Sequence, residues 1–262
     1  MASAALGSAA ARLSAARRRA AAGRRAFGGV YPRDWALRQR SGSRGPEAWQ
    51  WMLAFGLALF VGWQATGKWV DALIAINVVS FIVQCYSPRW EDQGVLTADT
   101  LETPRSSHRL VASSFLHANW YHLGANMYSL WYVGTKVERL FGPGRFLLVY
   151  LGSALAASLL SLWGKRSGKG GAAPSVGASG GVLGIVAALA VFRLRHCLPM
   201  QEVWLMLLLN LGVGIMPQID GLGHLGGTAG GALVAYLWGP RWEWSFGGLL
   251  VRNSPIITWP FA

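Results

Sequence analysis

Acid is what this sequence has least of: 11 Asp and Glu stand against 24 Lys and Arg in 262 residues. Charged residues of both signs make up only 13 %, while 53 % are hydrophobic. That balance excludes an ordinary soluble domain, in which about a quarter of the residues are charged. Cysteine is nearly absent too, with Cys85 and Cys197 alone. The helix order derived below puts them at opposite ends of their helices, near opposite membrane faces. A bridge needs Cα atoms within about 7 Å, so no disulfide is expected. An H-E-x-x-H motif is also missing, and no acidic or cysteine partner accompanies the histidines. Neither a metal nor another cofactor is therefore expected.

What is present points to lipid. Fourteen Trp and 34 Gly fit a helical membrane protein, where Trp sits at the interfaces and Gly is common within spans. The net charge of +13 is concentrated: residues 1–46 hold ten Arg against one acid, Asp34. No basic face with interleaved aromatics exists outside that segment, so nucleic acid is not an expected partner. The opening "MASAALGSAAARLSAARRRAAAGRRAFGGV" is rich in Ala, Ser and Arg, lacks acids and has no apolar core. It reads as an organelle transit peptide, the alternative being a disordered basic tail.

A helix needs roughly 20 apolar residues to cross the hydrocarbon. Candidates lie at about 48–66, 69–86, 119–139, 145–163, 180–197, 201–217 and 223–239. The expected layout is all-α: one leading helix and a core of six, in one polytopic membrane domain. Its parts are a basic segment over 1–46, an additional helix over 47–67, the core over 68–241 and a tail over 242–262. The polar stretch from Ser87 to about His117 is long for a connection, which predicts structure of its own. Basic residues fall on both faces and leave the orientation open.

Polar residues inside spans are costly and therefore functional suspects. His122 and Asn126 open core helix two, Ser179 opens helix four and His224 opens helix six. In an up-down bundle the even-numbered helices run the same way, so these four converge on the face of the long loop. His122 and Asn126, four apart, share a helix face. Gly177, Gly181 and Gly184 line the start of helix four with Gly180, while Gly226, Gly227, Gly230 and Gly231 line that of helix six. Small residues spaced by four let helices meet backbone to backbone, which would bring the Ser179 hydroxyl to the His224 imidazole.

That pair is a nucleophile and its base. The Asn126 amide, His122 and the Ser179 backbone N–H are candidate donors to an oxyanion. No carboxylate lies inside helices two, four or six at matching depth, and Glu138 falls at the far end of helix two. A Ser–His dyad without a third member is the expectation. Each residue also has a plainer reading. Ser179 could serve packing, His224 an interhelical hydrogen bond, His122 and Asn126 helix association, and His117 the bracing of the loop. The G-x-S-x-G match at 177–181 carries little by itself, because a nucleophile elbow needs a preceding strand.

At these residues the sequence resembles the rhomboid intramembrane serine proteases over about residues 69–240. The matching pieces are "HANWYHLGAN" (117–126), "VERLFGPGR" (137–145), "GASG" (177–180) and "GHLGGTAGG" (223–231). The resemblance implies a six-helix core, here with an extra N-terminal helix, and cleavage of transmembrane protein substrates within the bilayer. It implies Ser179 as nucleophile, His224 as base, and Asn126 and His122 as the oxyanion hole. His117, Gly177 and Gly180 would support that hole. Two departures stand out: His108-Arg109 where a Trp-Arg pair is usual, and Leu183 where some members carry an aromatic. "APSVGASG", "VFRLRH" and "LWGPRWEW" look most like the plastid branch, which implies the chloroplast inner envelope. The leading helix also suits the mitochondrial branch and its inner membrane. The competing function is a non-catalytic rhomboid-like module for membrane-protein binding or quality control; a histidine-based transporter is a third possibility.

Overall fold

A computed structural model of the chain describes residues 61, 63–64, 66–100, 102, 106–170, 174–214, 220–241, 243–245, 248–250 and 256. The basic segment over 1–46 lies outside these residues, as does most of the additional helix over 47–67. Long helices occupy each of the six core stretches. They are α1 (Trp69–Tyr86), a continuous run made of α4 (Trp120–Ser129) and α5 (Thr135–Phe141), α6 (Pro143–Ser167), α7 (Ser179–Arg195), α8 (Gln201–Gly214) and α9 (Gly221–Trp238). The wider turn at Leu130–Gly134 joins α4 to α5 without a break. Two of these helices, α1 and α6, are long and apolar enough to cross a membrane by length and composition. At 1.5 Å per residue they reach about 27 Å and 37 Å.

The polar connection after α1 has structure of its own, as its length predicts. It folds as α2 (Pro88–Gly94), α3 (Arg109–Ala112) and a tight helical turn at Ser113–Phe115. The unusual His108-Arg109 pair ties it together. His108 Nε2 donates to the Gln93 carbonyl at 2.9 Å, and the Arg109 guanidinium donates to the Asp92 carbonyl at 3.1 Å. From α6, Arg166 donates to the Ala98 and Thr100 carbonyls at 3.0 and 2.7 Å.

Helix α7 is the axis of the bundle. Every residue from Gly180 to Leu189 is buried, which is why its sequence is apolar all round with no stripe. It packs against α6 and α9, which also pack on each other, and α8 lies against α7. On α6 the pattern is inverted relative to a soluble helix. Leu151, Leu155 and Leu159 point outward, while Ser153, Ala157, Ser158 and Ser161 are buried. Lipid is as apolar as leucine, so small residues that permit close contact go inside.

Glycines set the closest approach. A β-carbon on Gly227 would strike the Gly180 backbone, and one on Gly231 would strike the Gly184 backbone. One residue round the helix, Gly226 faces the Ala156 carbonyl and Gly230 the Ala156 side chain of α6. Helix α9 thus lies in a groove between α6 and α7, with glycine on both contact lines. Gly181 faces the Tyr150 ring, and Gly184 also faces Ser153.

Helix α1 begins without a side-chain cap of its own. Glu138 of α5 supplies it from across the bundle: its Oε1 accepts from the Trp69 N–H at 2.7 Å and its Oε2 from the Val70 N–H at 3.1 Å. Helix-end donors left unpaired are costly, and a lost cap is worth about 0.5–2 kcal/mol. Glu138→Ala is therefore expected to destabilise the chain by about that amount, read as a lower unfolding midpoint in detergent. An unchanged midpoint would remove Glu138 from this role.

Helix α9 stops before Gly239-Pro240, where proline cannot continue the helical ladder. Beyond it the all-α expectation needs one addition. Glu243–Ser245 and Gly248–Leu250 form a two-stranded antiparallel hairpin with Trp244 opposite Leu249. Both cysteines are free and exposed.

Candidate active site

Four short devices bring the site residues together. Asn119 caps α4, its side chain accepting from the His122 N–H at 2.9 Å, which fixes His122 in the first turn. Gly177 takes a positive φ of 129°, a region few residues other than glycine tolerate, and donates its N–H to the Ser113 carbonyl at 2.9 Å. The chain then enters α7 with Ser179 as its first helical residue. Asp220 caps α9 by accepting from the Gly223 N–H at 2.9 Å, which starts the helix at Gly221, three residues before His224.

Across the α7–α9 contact the His224 Nε2 lies 2.9 Å from the Ser179 Oγ. That separation falls within the range in which a base can take a hydroxyl proton. Both side chains line a cleft of about 40 Å³ together with Ser161, Ser175, Asp220 and Gly177. A water needs roughly 10–15 Å³ and two to four polar partners, so the cleft can admit water to the serine.

The other predicted residues stand around this pair. The His122 imidazole lies against Gly177, so closely that a β-carbon there would meet its Cε1 and Nε2. Asn126 is buried and donates one amide N–H to the His122 carbonyl at 2.8 Å. His117 is fully buried, its ring edge-on to that of His122 with centroids 5.3 Å apart. Its backbone N–H and carbonyl both bond to the Gln84 side chain, at 3.0 and 2.9 Å. These three residues approach from α4 and the loop and do not line the cleft, whose far wall belongs to α6. Gly180 packs against Ala157 of that wall, and Leu183 is buried within α7. Among the described residues no cluster of His, Cys, Asp and Glu is fit to hold a metal ion.

Among the described residues no carboxylate lies inside the helices at the depth of the pair, but Asp220, just ahead of α9, lines the same cleft. It sits one residue before the helix, outside every helix interior. The signal was nonetheless present: an Asp ahead of a helical run is a capping residue, and its spacing of four from His224 shares a face. Burial works to raise the Asp220 carboxyl. The Ser161 and Ser175 hydroxyls, the Lys165 charge and the Gly223 N–H outweigh it and hold the group below the usual carboxylate value.

These features define a helical membrane bundle with a serine and a histidine paired at its polar end. Residues 104–241, over half of the chain, match the family model described as the Rhomboid domain. The chain belongs to the rhomboid family, and is an integral membrane protein. It is 35 % identical over 156 residues to the rhomboid protease GluP of Bacillus subtilis, covering 57 % of this chain and 30 % of that protein. It is 33 % identical over 172 residues to RHOMBOID-like protein 1 of Arabidopsis thaliana, covering 63 % and 42 %. A third relative, Rhomboid protein 1, mitochondrial, of Saccharomyces cerevisiae, is 34 % identical over 122 residues, covering 45 % and 34 %. The chain spans less than half the length of each of these three relatives.

Proposed function

We propose that the chain is an intramembrane serine endopeptidase that cleaves transmembrane segments of membrane proteins. The observation that carries this reading is the 2.9 Å contact between His224 Nε2 and Ser179 Oγ beside a cleft with room for water. His224 takes the Ser179 proton as Oγ attacks the scissile carbonyl carbon. The resulting oxyanion accepts hydrogen bonds from the Ser179 backbone N–H, the Asn126 amide and His122, with His117, Gly177 and Gly180 supporting that wall. As the intermediate collapses, the imidazolium gives its proton to the leaving amine and an acyl-serine remains. Water, deprotonated by His224, then attacks the ester and restores the hydroxyl.

The same proposal treats the six core helices as membrane-spanning, preceded by one more over 47–67, with the tail at 242–262. The basic segment at 1–46, whose first 30 residues hold no acid, supports an organelle address. We favour a plastid, the chloroplast inner envelope, over the mitochondrial inner membrane.

The test is reconstitution of the full chain in liposomes with a single-span substrate, alongside labelling by a fluorophosphonate. Cleavage and an adduct on Ser179 are expected. Cleavage that persists in Ser179→Ala would overturn the assignment. A folded wild type that neither cleaves nor labels would favour the non-catalytic binding module.

A further inference from the structure

Ser175 makes more cross-element contacts than its place in a loop requires. Its backbone pairs with Leu96 of the long connection, N–H to carbonyl at 2.9 Å and carbonyl to N–H at 3.2 Å. Its hydroxyl lies 3.0 Å from that of Ser161 on α6 and donates to the Asp220 carboxylate. The other oxygen of Asp220 accepts the Gly223 N–H at the start of α9. Four residues after Ser175 comes Ser179, and four residues after Asp220 comes His224. One hydrogen-bonded chain thus joins the approach to the nucleophile with the start of the base's helix, and α6 braces both.

Building on the proposed protease reading, we propose that Asp220 is a positioning residue, clasping Ser175 so that α7 and α9 present Ser179 and His224 at reacting distance. Capping alone would need only one oxygen, and Asn would serve equally well. The second oxygen reaches out of the helix to the other strand of chain, and its bond is charge-assisted, a class roughly twice as strong as neutral hydrogen bonds. A serine–histidine pair has little tolerance for drift, since displacements of about 1 Å can cost about 10²-fold in rate. The glycine contact fixes how near the two helices come. The Ser175–Asp220 clasp fixes how far each is advanced along its axis at the mouth of the cleft.

Asp220→Asn keeps the cap, and Ser175→Ala removes the hydroxyl while leaving the backbone pairing with Leu96. Each is prepared as full chain in liposomes, the reactive serines are counted by fluorophosphonate burst, and turnover is expressed per reactive serine. Each variant is expected to turn over about tenfold more slowly, the equivalent of about 1.4 kcal/mol, with KM unchanged. The double variant is expected to lose no more than the worse single one, and Ser175→Thr, which restores the hydroxyl, to recover most of the rate. Loss confined to the number of reactive serines, with wild-type turnover for each, would show a merely structural role and overturn the inference. Additive losses would break the link between the two residues and overturn it as well. A wild type that neither cleaves nor labels overturns the protease reading, and this inference with it.

Discussion

His224→Ala is expected to lower cleavage in liposomes by at least about 10³-fold, with Ser179→Ala matching it and the double variant no worse. A general base contributes about 10²–10⁴ in rate, and losing 10³ corresponds to about 4 kcal/mol of barrier. The reason for non-additivity is mechanical. In the proposed mechanism His224 activates the Ser179 hydroxyl, 2.9 Å away, so once either partner is gone the other can no longer start the reaction. The same proposal gives the histidine a second task, protonating the leaving amine. Fluorophosphonate labelling separates the two tasks, since labelling needs only an activated serine. His224→Ala should fail to label as well as to cleave. If His224→Ala labelled Ser179 at the wild-type rate, the base assignment would fail.

The second large effect falls on packing. Gly231→Val is expected to lower stability by about 3 kcal/mol or more, at the upper end of overpacking costs. The branched side chain would be placed on the Gly184 backbone, which has no side-chain end to move aside. Helices α7 and α9 must then separate, and Ser179 separates from His224 with them. Unfolding in detergent should therefore shift by several degrees, and cleavage should fall further than the folded fraction does. Gly152→Ala is the control, since its β-carbon would meet only Val234 Cγ2 at 3.6 Å, an ordinary contact. A Gly231→Val protein with the wild-type midpoint would contradict the close contact.

Both expectations could be formed before any coordinates, because they rest on local signals. The apolar runs outline the six core helices, and "GGVLGIVAALAVF" is apolar on every side because α7 has no outward face. Glycines four apart at 227 and 231, and at 180 and 184, were readable as contact surfaces, and of the polar residues in apolar helices Ser179 and His224 line the cleft. What escaped reading depends on distant partners. Nothing near Trp69 announces that its N–H is capped by Glu138, 69 positions away. Asp220 looks like any capping residue until Ser175 is seen beside it. The serines of α6 carry no local sign of where they face; only the bundle shows Ser161 lining the cleft. The hairpin after Pro240 depends on pairing between two three-residue strands that are too short to show a period.

The two glycine lines of α9 have a consequence for motion. Side chains that meet across an interface can exchange rotamers, and such exchanges let neighbouring helices breathe by fractions of an ångström. Glycine has no rotamers to exchange. Where Gly227 rests on Gly180 and Gly231 on Gly184, the separation of the two helices is set by main-chain atoms alone. The distance between hydroxyl and imidazole is therefore insulated from the thermal jitter of the surrounding side chains, and changes only when a whole helix moves.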